Sequence, residues 1–375
     1  MKILITGGAG FIGSYLVELL FKKGFDITIL DNFSPQIHGL DYENSFLYNK
    51  IKNKARIIKG NIQDAEIYNL LENDFEYIVH LAAETGTGQS MYQIKHYTDV
   101  NVSATALLLE KLVLTNKKIK RIVVSSSRAI YGEGKYMIPS TKEVVYPPQR
   151  ENINMAKGIF EPLRNGEILS CLLTDENAAF SPSSVYGITK LSQEQLITNV
   201  AKSLGIESVA LRFQNVYGPG QSLKNPYTGI LSIFSTQLLQ SNPINIFEDG
   251  KESRDFVYIS DVVDSIYLAL TVKNVEGIAY NIGTGIGTTV NQVAELLKEY
   301  YNSDSEINIT GNYRVGDIRH NKADITKAQQ ELGYDPKISF QIGLKKFTEW
   351  VLTQELEENN YAQSLEELKQ KGLFK

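Results

Sequence analysis

The sequence predicts an α/β protein, a doubly wound parallel sheet followed by a smaller C-terminal α/β domain. Three observations point there. Short, almost continuously apolar runs alternate with helical patterns from the N-terminus to Phe213. A glycine-rich turn, TGGAGFIG (6–13), joins the first run to the first helix. An acid, Asp31, ends the second run. Alternating strand and helix is the pattern of a parallel sheet covered on both faces, and that double burial explains why the strands carry few polar residues.

In order, the expected strands are KILITG (2–7), DITILD (26–31), ARIIKGN (55–61), YIVHLAA (77–83), RIVVSS (121–126) and SVALRF (208–213). Helical periodicity fills 12–23, 98–117 and 184–203 between them. Residues 135–180 show no clean period and read as an insertion. Beyond 214 the pattern loosens into Gly-Pro turns, helices near 229–241 and 289–301, and amphipathic stretches near 339–356 and 361–372. The expected division is a first domain of 1–214 plus 254–288 and a second of 215–253 plus 289–375. The second would rest on the carboxyl edge of the sheet, where such folds bind ligands.

Composition narrows the function. Of 375 residues, 42% are hydrophobic and 22% charged, an ordinary globular balance. The net charge of -5 offers no basic field for nucleic acid. No apolar run reaches the length of a membrane span, and MKILITGGAG is not a signal peptide. A single cysteine, Cys171, and four histidines without metal-pair spacing imply no disulfide and no metal. The expectation is a reduced, cytoplasmic protein.

Gly8-x-Gly10-x-x-Gly13, with Gly7 before it, is a dinucleotide fingerprint. Glycine permits the tight turn and the close approach of a pyrophosphate, and the helix start offers free N–H groups. Asp31 follows Gly13 by 18 residues (31 − 13). A carboxylate there binds both ribose hydroxyls and repels a 2′-phosphate, which favours NAD over NADP.

Two further features carry chemistry. SSSRAIYG (125–132) loads the end of a buried strand with hydroxyls. Tyr186 and Lys190 in SSVYGITK (183–190) are four apart and share a helix face. The same spacing recurs at Tyr48/Lys52 and Tyr131/Lys135, but only the Tyr186 copy opens a strongly patterned helix. A tyrosine base must lose a proton whose ordinary pKa is about 10, and nearby cations favour the phenolate.

TGGAGFIG, Asp31, LAAET (81–85), SSS (125–127), YGITK (186–190), LRFQNVYGP (211–219), RDFVYISDV (254–262) and RVGD (314–317) resemble the extended short-chain dehydrogenase/reductase family, in its nucleotide-sugar epimerase and dehydratase branch. The likeness runs through nearly the whole chain. It implies a Rossmann-type domain, NAD as cofactor and a nucleotide-diphosphate sugar as substrate. It maps the catalytic trio onto Ser127, Tyr186 and Lys190. Tyr186 would take a proton from a sugar hydroxyl while the C4 hydride passes to NAD, Ser127 would bond the same oxygen, and Lys190 would bind the nicotinamide ribose and hold the Tyr186 pKa down.

By the same matching the cofactor would touch Gly7, Gly10, Phe11, Ile12, Gly13, Asp31, Asn32 and Ser34. Asn61 and Ile62 would line the adenine pocket, Leu81, Ala82 and Ala83 would pass under the pyrophosphate, and Ser125, Tyr186, Lys190 and Phe213 would complete the site. Substrate would meet Thr85, Ser127, Asn215, Arg254, Arg314 and Asp317.

The resemblance leaves the reaction open, and the residues after Ser127 discriminate. Dehydratases of this branch follow the catalytic hydroxyl with an Asp-Glu pair, whereas this chain has Arg128-Ala129. Elimination of water needs an added acid and base, so 4-epimerization is favoured. AAETGTGQSMY (82–92), the 59 positions from Ser127 to Tyr186 (186 − 127), and NPYTGILSIF (225–234) most resemble the bacterial enzymes that interconvert dTDP-L-rhamnose and dTDP-6-deoxy-L-talose. The family implies a homodimer packed through helices 98–117 and 184–203.

Overall fold

The computed structural model describes residues 1–375 except 224, 226–228, 274, 276–278 and 356–360. Part of NPYTGILSIF (226–228) and residue 356 of the expected C-terminal helix therefore lie outside the described residues.

Seven parallel strands form the main sheet: β1 (Lys2–Thr6), β2 (Asp26–Asp31), β3 (Arg56–Lys59), β4 (Tyr77–His80), β5 (Arg121–Ser127), β6 (Glu207–Phe213) and β7 (Ala279–Ile282). Their order is β7-β6-β5-β4-β1-β2-β3, in register from Lys2↔Asp26 to Thr6↔Leu30 across the β1–β2 pair. The chain winds outward through β2 and β3, then returns to pair β4 with the other side of β1. The reversal leaves a crevice at the carboxyl ends of β1 and β4.

Alternate side chains of each strand face opposite cores. Ile3, Ile5, Ile29, Val79, Val123 and Leu211 join one, with Leu16 and Val17 of α1 (Phe11–Lys22). Leu4, Leu30, Ile78, Ile122, Val124 and Ala210 join the other, with Ile197 of α2 (Val185–Ser203). Three of the expected strands stop early, at Thr6, Lys59 and His80, next to the crevice. The helix expected at 98–117 runs instead from 94 to 113 and mixes α and π turns.

The second part builds on a smaller sheet. Ser253–Tyr258 pairs parallel with Asn215–Tyr217 and His320–Asn321, and antiparallel with Gly287–Thr289. The expected segment 254–288 is thus divided: its first strand belongs to the smaller sheet, and the helix Ile259–Thr271 and β7 return to the main one. Residues 135–180 are more ordered than their pattern suggested. Tyr136–Met137, Val144–Val145 and Ser170–Cys171 form a three-stranded antiparallel sheet, and Leu163–Arg164 pairs with Glu167–Ile168.

Candidate active site

A cavity of 380 Å³ opens at the crevice. Every position assigned to the cofactor lines it, from Gly7 to Phe213, as do Thr85 and Ser127. Gly7 has φ +70, and a Cβ there would stand 2.7 Å from the Ala82 nitrogen, so the first and fourth strand ends meet only because residue 7 has no side chain. α1 begins at Gly10 without a side-chain cap and without an acid in its first turn, which leaves its N–H groups to an anion.

Asp31 is buried beside this turn. Its carboxylate accepts from the backbone N–H of Ala9 and of Phe33, each at 2.9 Å. Burial pushes the carboxyl up, while those donors and His38 oppose the shift. The glycine cradle, the open helix start and a buried carboxylate at the second strand end fit a dinucleotide. The lining also includes Gln36 and His38, which the sequence reading missed. His38 Nε2 lies 4.0 Å from Asp31 Oδ1, and no motif signals it.

β5 carries the hydroxyls to the cavity rim. Ser127 Oγ accepts from the Ala129 N–H at 3.2 Å. α2 starts at Ser184, whose Oγ caps the Gly187 N–H at 3.1 Å, and so places Tyr186 in the first turn. Gly187 lets this turn approach β5, since a Cβ would lie 2.6 Å from the Ala129 carbonyl oxygen. The Tyr186 N–H is held by Ser90 Oγ at 3.0 Å, and its phenol is hydrogen-bonded with Ser127.

Burial raises the Tyr186 pKa, and Ser127 and the Arg128 guanidinium pull it back. Among the chain's cations it is Arg128 whose charge bears on the phenol here. The Lys190 ammonium is engaged by Gln193 Oε1 and by Ser125 Oγ at 3.4 Å. Burial brings it down to about 7, against Glu194.

Ser126 lines the cavity, but its hydroxyl bonds Glu194, two turns beyond Tyr186 on α2. Glu194 in turn accepts from Arg212 of β6, at 2.6 Å from Nη2 and 3.2 Å from Nε. This buried group pins α2 across the ends of β5 and β6, and so sets Tyr186 against Ser127.

Asn215, Arg254, Arg314 and Asp317 do not line the cavity. Arg254 reaches Asp317 at 3.3 Å, and its terminal nitrogens also donate to the carbonyls of Ser253, Ile318 and Arg319. Burial alone would raise the Asp317 carboxyl, but Arg254, Arg314, Arg150 and Arg128 together hold it below the usual range. Arg314 stacks 5.0 Å from the Phe247 ring and bonds Tyr361. Arg128 Nε donates to Asn215 Oδ1 at 2.7 Å and so joins the two ends of the site. The sequence reading had counted Arg128 only as a missing carboxylate.

The insertion grips the same loop. Arg150 forks onto Glu248 at 2.8 and 2.8 Å and donates to the Asp317 carbonyl at 2.9 Å. Ser183 Oγ donates to the Gly316 carbonyl at 2.9 Å. Among the described residues no group of three or more His, Cys, Asp or Glu side chains is arranged to hold a metal ion, and no helix is long and apolar enough to cross a membrane.

A dinucleotide cradle facing a Ser–Tyr–Lys arrangement defines an NAD-using enzyme, and sequence comparison gives its family. The chain belongs to the extended short-chain dehydrogenase/reductase family, in the NAD-dependent epimerase/dehydratase branch. The model of the NAD dependent epimerase/dehydratase family matches residues 171–283, and that of GDP-mannose 4,6 dehydratase matches 4–150.

The chain is 36% identical to the dTDP-L-rhamnose 4-epimerase of Burkholderia thailandensis, over 96% of this chain and 97% of that protein. It is 32% identical to the putative UDP-glucose 4-epimerase of Methanocaldococcus jannaschii, over 93% and 98%. The Thermotoga maritima UDP-glucose 4-epimerase solved with UDP-glucose superposes with a TM-score of 0.74 at 33% identity, over 94% of this chain and 99% of that one. The Bacillus cereus UDP-glucuronic acid 4-epimerase, solved with UDP-glucuronic acid and NAD, gives 0.77 at 27%, with the same coverage.

Proposed function

We propose that the protein is a nucleotide-sugar 4-epimerase that converts dTDP-L-rhamnose to dTDP-6-deoxy-L-talose through a 4-keto sugar. The observation that carries this reading is the Ser127–Tyr186 pair at the rim of the dinucleotide cradle, followed by Arg128-Ala129 and no carboxylic acid. Bound NAD supplies a hydride acceptor at C4 that later returns the hydride.

The chain's own groups supply the rest. Ser127 holds the C4 oxygen and Tyr186 takes its proton, then returns it after the keto sugar has turned in the site. Lowering the phenol by about three pKa units requires roughly 4 kcal/mol of differential interaction, within reach of cations in a partly dry site. Lys190 holds the nicotinamide ribose. In this reading Asn215, Arg254, Arg314 and Asp317 form the far end of the substrate site, where Arg254 would exchange its Asp317 and carbonyl partners for the diphosphate, and the protein works as a homodimer.

A second reading is a UDP-sugar 4-epimerase, favoured by the UDP-glucose 4-epimerase likeness. A panel of UDP-, dTDP-, GDP- and CDP-sugars, followed by NMR with no added cofactor, separates the two. The expected result is a pair of C4 epimers from dTDP-L-rhamnose. Turnover of UDP-sugars alone would establish the second reading, and a product that has lost water would refute both. Light scattering tests the dimer, which a monomeric mass would refute.

A further inference from the structure

Several arginines converge on the substrate side, and their hydrogen bonds separate them. Both terminal nitrogens of Arg254 are occupied by Asp317 and backbone carbonyls. Those of Arg150 are occupied by Glu248, Phe160 and the Asp317 carbonyl. Arg128 differs. It is half-buried, Asn215 holds its Nε at 2.7 Å, and its terminal nitrogens make no hydrogen bond or ion pair among the described residues.

An arginine anchored at Nε has its planar fork aimed and free, the geometry that grips two oxygens of an anion. A guanidinium withdrawn from water without an anion is costly, and burial pulls this one down to about 10. The charges around it are Arg254, Asp317, Tyr186 and Asp255. Asp317 is claimed by Arg254 and Asp255 by backbone donors, so neither hydrogen-bonds the Arg128 fork.

We propose that Arg128 is an anion-binding residue of the substrate site, whose free fork takes an anionic oxygen of the bound nucleotide sugar close to Tyr186. The inference rests on the nucleotide-sugar reading above and deepens it. Two groups supply such an oxygen: the phosphate attached to the sugar, or a carboxylate on the sugar itself. The Asn215 anchor then holds the guanidinium beside Tyr186, so that one side chain meets the substrate's charge and acts on the phenol.

Calorimetry on the NAD-loaded protein tests this, with R128Q and R128K compared against wild type. The ligands are dTMP, dTDP, dTDP-L-rhamnose, UMP, UDP, UDP-glucose and UDP-glucuronate. R128Q is expected to lose about ten- to a hundredfold in affinity for the diphosphates and to bind the monophosphates within about twofold of wild type. R128K, which keeps the charge without the fork, is expected to fall between.

A loss confined to UDP-glucuronate would assign the fork to the sugar carboxylate. Wild-type affinities in R128Q for every ligand would overturn the proposal. A wild-type protein that binds none of these nucleotides would overturn the nucleotide-sugar reading and this one with it. Retained NAD and an unchanged melting temperature in R128K keep a binding loss from being read as misfolding.

Discussion

Removing the Glu194 carboxylate probes the joint that holds Tyr186 in place. Glu194 and Arg212 are 6% and 5% exposed and lie 2.6 Å apart. Breaking a buried pair by truncating one partner costs about 3–5 kcal/mol, because the other charge is left uncompensated. Arg212 keeps other contacts: Tyr131 Oη at 2.7 Å, the Glu176 carbonyl at 2.9 Å and the Phe180 ring at 5.0 Å. These put E194A at the low end, about 3 kcal/mol. E194Q keeps the shape and one acceptor, and about 1–2 kcal/mol is expected.

The assay is urea unfolding followed by circular dichroism, together with R212M and the double variant E194A/R212M. If the orphaned guanidinium is the cause, the double variant is more stable than E194A alone. An E194A cost below about 1 kcal/mol, or a double variant with strictly additive losses, would refute the reasoning.

Other outcomes follow from single residues. G7A forces φ +70 on alanine and drives Cβ to 2.7 Å from the Ala82 nitrogen, so a loss of about 2–5 kcal/mol and of bound NAD is expected, read by melting temperature and absorbance ratio; a wild-type melt with full NAD would contradict it. Glu252 is buried, its Oε2 accepts no hydrogen bond and meets Arg319 Nη1 only at 3.7 Å, and its pKa is pushed up by burial to about 7 from 4.5. The folded state therefore holds a proton that the unfolded state releases, and stability falls as pH rises from 4.5 to 7. E252Q should be more stable than wild type by up to about 3 kcal/mol at pH 8 and equal to it below pH 4.5, measured by urea titration; a pH-independent difference would contradict that assignment.

The fold was legible where its signals are local. The Gly7–Gly13 turn, Asp31 at the end of β2, and Tyr186 four residues before Lys190 each sit within a few residues of the element that displays them. The positions assigned to the cofactor line one cavity, because most of them sit at strand ends. What escaped is held by distant partners. Arg128 acquires its orientation from Asn215, 87 residues away, and Ser126 and Glu194 meet across 68. Arg150 ties the insertion to Glu248, 98 residues on, which no period within 135–180 reveals. The strand Ser253–Tyr258 pairs with residues on both sides in sequence, so the local pattern did not reveal which sheet it joins.

The claim at the centre is that Tyr186 moves the proton of a C4 epimerization. Proton NMR of dTDP-L-rhamnose incubated with purified wild-type protein and with Y186F, no cofactor added, tests it most directly. Wild type should give two C4 epimers, and Y186F should give none over the same period while retaining NAD and a wild-type melting curve. Epimer formation by Y186F at the wild-type rate, or a product lacking water from the wild type, would contradict it.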